Sequence, residues 1–175
     1  MVREIVLWPD PILKKAAAPV ASVDDAIRKL VADMFETMYA ADGVGLAAPQ
    51  VGELHRVIVL DTSPRQPGAK PVAMINPEIL SREGASFEPE GCLSLPGESE
   101  KVERAAKVRV RFLDTDGVSQ ELECTELLAI AVQHEADHLD GIVFVDHLSA
   151  LKRELIKKRM KRYKEAQAQE PAAEA

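Results

Sequence analysis

The sequence predicts a single domain that mixes helices with short β-strands. Helical spacing of apolar residues recurs in three stretches, at about 23–41, 125–141 and 149–165. Short runs rich in Val, Ile and Phe, bounded by turn residues, occupy the interval from 57 to 123. No internal repeat or linker divides the 175 residues, and a chain of this length buries roughly two thirds of the surface its unfolded form exposes.

The first helix is expected to begin at a capping box formed by Ser22 and Asp25, and Ile27, Leu30, Val31, Met34, Met38 and Ala41 then share one face. Gly43 and Gly45 end it, and GVGLAAPQVG is too rich in small residues to continue as helix. VIVL at 57–60 and VAMI at 72–75 read as strands, the second closed by Asn76-Pro77, with SPRQPGAKP at 63–71 as a surface loop between them. In VRVRFL at 108–113, Val108, Val110 and Phe112 alternate with polar residues, and DTDG turns the chain into VSQELE as a hairpin with one face on the core. Thr125 is placed to cap the second helix, whose N-terminal half is apolar nearly all round and therefore belongs at the protein centre, and Gly141 is placed to stop it. Ser149 is placed to cap the third, with Leu151, Leu155, Ile156, Met160 and Tyr163 as its apolar side. The polar, Ala-rich stretch 166–175 is expected to be a disordered tail, which leaves 1–165 as the domain.

A hydrophobic fraction of 46% with 29% charged residues is ordinary for a soluble protein, and 4% aromatics implies an aliphatic core. Charge at Arg3 and Glu4 and the early Pro9 leave no room for a signal peptide, and LLAIAV at 127–132 is far too short to span a bilayer. The expectation is a cytoplasmic protein whose Cys92 and Cys124 stay reduced. The net charge of −7 is uneven: residues 152–165 carry eight basic residues against two acidic ones. Such a run is either a solvated helix face or a surface for an anionic partner.

Chemistry concentrates in QHEADHLDG at 133–141. Side chains four apart on a helix lie one above the other, so His134 and His138 can converge on one ion. Glu135 is rotated about a quarter turn away, the position from which the glutamate of H-E-x-x-H acts on water without ligating. Two unpaired imidazoles on an otherwise apolar helix would be costly, which favours the metal over a helix that merely contains histidines. A catalytic site needs three protein ligands. The extended pattern H-E-x-x-H-x-x-G-x-x-H holds as far as Gly141 and then meets Phe144. The third ligand must come from elsewhere, with His55, His147, Cys92 and several carboxylates as candidates. Cys92 stands out through its setting in EGCLSLP, a turn or strand end, whereas Cys124 reads as a small buried hydrophobe. Glu90 and Asp137 flank the ligands and either orient their second nitrogens or are surface carboxylates.

GVGLAAPQ (43–50), EGCLS (90–94) and QHEADHLDG together resemble, in order and separation, the three signature motifs of the peptide deformylases, with WPDPIL and LSALKR extending the resemblance over nearly the whole chain. The resemblance implies an α+β fold with antiparallel β-sheets around a central helix that carries the histidines. It implies a hydrolase that removes the formyl group from N-formylmethionyl nascent peptides. Its metal ligands fall on Cys92, His134 and His138, its general base on Glu135, and its oxyanion donors on the Gln50 side chain and the Leu93 backbone N–H. The native ion implied is Fe²⁺, while a thiolate-containing set also suits Zn²⁺, Ni²⁺ or Co²⁺. A pocket for the methionyl side chain would be lined by Val44, Leu127 and Ile130, with Gly45 leaving room for the substrate backbone; Leu127 and Ile130 read equally well as plain core. The basic helix at 150–165 would then face ribosomal RNA, with no membrane or DNA partner expected. Two other readings are a zinc endopeptidase, against which Phe144 argues, and a non-catalytic protein with a structural metal site, for which a fourth ligand is not evident.

Overall fold

The computed structural model describes residues 1–170. Seven strands and three helices follow in the order α1 (Asp25–Ala40), β1 (Gly45–Ala47), β2 (Val57–Leu60), β3 (Val72–Glu83), β4 (Pro89–Cys92), β5 (Leu95–Lys101), β6 (Lys107–Leu113), β7 (Ser119–Thr125), α2 (Glu126–Leu139) and α3 (Ala150–Gln169). All strand pairing is antiparallel: β1-β2-β3-β6-β7 form one sheet and β4-β5 a separate ribbon. The α+β architecture expected from the sequence is the one observed.

The continuous apolar run of β2 has a direct explanation in side-chain alternation. Ile58 and Leu60 point into a core shared with Ala129, Val132 and Leu139 of α2, and Val57 and Val59 into a second core with Leu30, Met34 and Met38 of α1. The strand is buried on both faces. It lies between the two helices, and this is what puts α2 at the protein centre.

Several local expectations are corrected. The N-cap of α1 is Asp24, whose carboxylate accepts the Ile27 N–H at 3.0 Å, in place of a box built on Ser22 and Asp25. Strand β3 does not close at Asn76-Pro77. Asn76 takes φ 51° and the register shifts between Ile75 and Glu78, a bulge that accommodates the proline. The Asn76 amide replaces ladder bonds by accepting from Val20 N–H (2.8 Å) and donating to Val20 O (2.9 Å). Thr125 precedes α2 but makes no side-chain capping bond. Gly141 stops α2 as expected: it takes φ 76°, and a Cβ there would collide with the Lys14 carbonyl.

Ser149 does cap α3, accepting the Lys152 N–H at 3.2 Å. The helix docks through Ile156 and Met160, with Tyr163 half-buried, on a third core containing Trp8, Leu13, Leu95 and Phe144. Leu151 and Leu155, expected on that side, are 71% and 44% exposed. They stand on the solvent side of the helix, away from that core. The helix carries on to Gln169, so residues 166–169 are helical where a disordered tail was expected, and 171–175 lie outside the described residues. No helix among the described residues is long and apolar enough to cross a membrane.

Candidate active site

His134 and His138 project from the middle and end of α2, and Cys92 meets them from the last position of β4. One ligating atom from each lies within 4.8 Å of the others, and this trio is the metal-type group found among the described residues. Cys92 Sγ stands 3.4 Å from His138 Nε2. The other candidates for third ligand lie apart: His55 is beside Glu53 at 3.9 Å, and His147 bonds Asp137 at 2.9 Å. Phe144, where the longer protease motif carries its third histidine, is a core side chain packed on the His134 ring at 6.2 Å between centroids.

The trio fits a thiophilic divalent cation by donor chemistry, one thiolate and two imidazoles. The surround fits as well. Burial pushes His134 down, but hydrogen bonding to Cys92 and Glu90 and the nearby Glu135 carboxylate outweigh it and draw the imidazole well above its ordinary value. His138 is pushed well below by burial and by the positive charge of His134 and Arg104. A negative environment around one ring and a neutral second ring together suit a bound cation. The Nδ1 of His138 and Oε2 of Glu135 are buried polar atoms without a protein partner.

Support for His134 comes from a buried ionic chain. Its Nδ1–H donates to Glu90 Oε1 at 2.9 Å. Glu90 is gripped by Arg104 through two bonds, Nε to Oε2 at 3.1 Å and Nη2 to Oε1 at 2.7 Å, and Arg104 Nη1 reaches Asp137 Oδ2 at 2.6 Å. Burial raises Glu90, and the bonds from His134 and Arg104 overcome it, holding the carboxyl below its usual range. Glu90 therefore orients a ligand's second nitrogen. The Asp137 carboxylate bonds neither His134 nor His138, since it is committed to Arg104 and His147. Arg104 was not legible from the sequence, where nothing marks VER at 102–104 except that a buried acid elsewhere needs a counter-charge.

Glu135 is 5% exposed, and burial, the largest influence, pushes its carboxyl up to about 7. That places it near the value a general base needs at neutral pH. Gly45 of β1 makes the space for it, because a Cβ there would lie 2.8 Å from Glu135 Oε1. Gly45→Ala is expected to displace the carboxylate and lower turnover roughly 10- to 100-fold, the scale of a misplaced catalytic group. Metal content should remain unchanged. Steady-state formate release with metal analysis checks this, and an unimpaired variant would show the contact to be irrelevant.

Gln50 is 1% exposed and held in one orientation. Its Oε1 accepts the Ala47 N–H at 2.9 Å, which leaves Nε2 to donate to Ser94 Oγ at 3.1 Å and toward Cys92 Sγ at 3.4 Å. The amide thus presents its N–H side to the ligand trio. Nothing in EGCLS signals this contact of Ser94. Val44, Gly45, Leu93, Leu127 and Ile130 line, together with Cys92, His134 and Glu135, a cleft of about 1100 Å³. Gln50 and His138 reach this cleft through Cys92 Sγ, at 3.4 Å each, whereas the candidate ligands His55 and His147 do not line it.

The sequence profile of the Polypeptide deformylase family matches residues 2–154. The peptide deformylase of Alkalilimnicola ehrlichii is 54% identical over 162 residues, covering 92% of this chain and 90% of its own. Among solved structures, the peptide deformylase of Legionella pneumophila superimposes with a TM-score of 0.92 at 43% identity, covering 98% of this chain and 100% of the other. That of Ehrlichia chaffeensis in complex with actinonin gives 0.89 at 39% identity over 93% of this chain and 97% of the other. A catalytic-type Cys-His-His trio beside a buried glutamate, on a fold shared at these identities, makes this chain a member of the polypeptide deformylase family, a metal-dependent hydrolase that removes the formyl group from the N-terminal methionine of nascent polypeptides.

Proposed function

We propose that deformylation is carried by Glu135 as general base, Gln50 and the Leu93 N–H as oxyanion donors, and Cys92, His134 and His138 as holders of a divalent ion. The observation that carries this reading is the buried, partner-free Glu135 oxygen beside the ligand trio. When bound, the ion supplies Lewis acidity and lowers the pKa of a water toward neutrality. Glu135 takes the proton from the attacking water. As the formyl carbon becomes tetrahedral, the Gln50 Nε2–H and Leu93 N–H meet the oxygen that gains charge. Glu135 then passes the proton to the leaving amine nitrogen, the C–N bond breaks, and formate and a free α-amine result. The unbranched methionyl side chain fits between Val44, Leu127 and Ile130. The family resemblance points to Fe²⁺ as the native ion, and a set of one thiolate and two imidazoles also accommodates Zn²⁺, Ni²⁺ and Co²⁺.

The test is formate release from a formyl-methionyl peptide by protein carrying one equivalent of Fe²⁺, Ni²⁺ or Co²⁺. An acetyl-methionyl peptide and an internal peptide bond serve as controls. Cleavage of the internal bond at a comparable rate would favour the endopeptidase reading instead.

The partner reading concerns α3. Lys152 and Arg159 are spent on the domain itself, pairing with Glu100 (3.1 Å) and Glu98 (2.7 Å) of β5. Lys157, Lys158, Lys161 and Lys164, with Glu154 among them, line a groove of about 400 Å³ against Pro9, and their cationic excess suits ribosomal RNA phosphates in the cytoplasm. Reversing these four lysines to glutamate should abolish co-sedimentation with ribosomes at low salt and leave hydrolysis of short formyl peptides intact. The parent protein's log affinity should fall with log salt, with a slope of roughly three to four for four phosphate contacts. Binding indifferent to salt would end this proposal.

A further inference from the structure

We infer that Gln66, in the loop between β2 and β3, is a positioning residue for the substrate pocket, holding its Leu127 wall in place by bracketing the first turn of α2. The inference rests on the assignment of Leu127 and Ile130 to the methionyl pocket.

The first turn of α2 is poorly secured by its own sequence. Thr125 offers no side-chain cap. Glu126, the first helical residue, sits at φ 54°, a left-handed conformation that a non-glycine side chain resists. Such a conformation persists only where surrounding contacts over-determine it. Here the contacts come from across the chain. Gln66 Nε2 donates to Thr125 O at 3.1 Å, and Gln66 Oε1 accepts the Leu128 N–H at 3.0 Å. One amide therefore satisfies a carbonyl before and an N–H after the two residues, Glu126 and Leu127, that face the cleft.

The clamp is itself held. Thr62, fully buried, donates its hydroxyl to Gln66 Oε1 at 3.2 Å, and its carbonyl accepts the N–H groups of Arg65 and Gln66 at 2.9 and 2.8 Å. One residue earlier, the Asp61 N–H donates to the Val44 carbonyl at 2.9 Å, which ties the same loop to another pocket wall. Arg65, next to Gln66, also lines the cleft. The loop thus fixes two sides of the pocket, and the hydrogen bonds of Asp61, Thr62 and Gln66 run to neither the ligand trio nor Glu135.

This predicts a split in kinetics. Freeing the first turn of α2 lets Leu127 move, which weakens side-chain binding without altering the base or the ion. Gln66→Ala should raise KM for a formyl-methionyl peptide roughly tenfold, the scale of one apolar contact in a pocket, with kcat and metal content unchanged. Its preference for formyl-methionyl over formyl-alanyl peptide should narrow by the same factor. Thr62→Val, which removes only the hydroxyl behind the clamp, should act in the same direction and more weakly. Gln66→Glu, which keeps the acceptor for Leu128 N–H, should recover part of the preference. Leu127→Ala, measured alongside, tests the pocket assignment by itself. If Leu127→Ala narrows the preference and Gln66→Ala and Thr62→Val leave it intact, the positioning role is overturned. If Leu127→Ala leaves it intact, the pocket assignment fails and this inference fails with it. A fall in thermal stability without a change in preference would likewise show Gln66 to be a helix cap alone.

Discussion

Glu135→Gln is expected to keep the metal and lose about 10²-fold or more in turnover, whereas Cys92→Ala is expected to lose the metal itself. The contrast follows from position. Cys92 contributes one of three ligating atoms gathered within 4.8 Å, and a site with two imidazoles left binds a divalent ion far more weakly. Glu135 stands beside the trio, its Oε1 4.0 Å from His134 Nε2 and its Oε2 without a partner. Glutamine preserves the volume packed against Gly45 but cannot take a proton, and removal of a general base costs on the order of 10²–10⁴ in rate. Metal content measured on both variants, with formate release under the same conditions, decides the matter. Equal metal loss in the two would erase the division between ligand and base.

The second large effect lies behind the site. Arg104→Met should destabilise the fold by about 3–5 kcal/mol, because it strands a buried carboxylate. The side chains of Arg104 and Glu90 are 5% and 7% exposed, and Arg104 supplies both of the guanidinium bonds to Glu90. Adding Glu90→Gln removes the stranded charge and should restore a large part of the stability. It also deprives His134 of its carboxylate partner, and the double variant should bind metal roughly 10- to 100-fold more weakly than the parent. Denaturant unfolding and metal competition measure the two quantities separately. A cost below about 1 kcal/mol for Arg104→Met would mean that Glu90 is neutral in the folded protein, against its depressed titration.

What the sequence disclosed was what neighbours in the chain impose on one another. His134, Glu135 and His138 are a local pattern, and helical periodicity alone puts them on adjoining faces. Strand β2 announced its double burial by having no polar position at all. Where a residue's partner is remote, the signal disappears. Asn76-Pro77 reads as a strand end because the amide that bridges the gap reaches back 56 residues to Val20. Ser22 and Asp24 are both good caps, and only the chain's approach to α1 selects the second. Cys92 stands out as a candidate ligand only through resemblance and its turn-like setting, since 42 residues separate it from His134. Arg104, Gln66 and Ser94 belong to the same class, polar residues whose contacts are set by tertiary packing and leave no periodic trace. Leu151 and Leu155 show the converse, apolar residues at helical spacing that stay exposed.

The core beneath α3 reaches the histidine-bearing helix α2 through Phe144. Ile156 and Met160 close over Trp8, Leu95 and Phe144, and Phe144 in turn lies against the His134 ring. One layer of side chains thus stands between the inner face of α3 and His134, a proposed ligand. Amide hydrogens near Ile156 and Met160 should accordingly exchange with water only through the global opening that also frees the amides of α2. A protein shortened before Met160 would open an apolar trench under His134. The basic outer face bears on partners and on the ion pairs with β5, whereas the inner face is part of the scaffold that holds the histidine still.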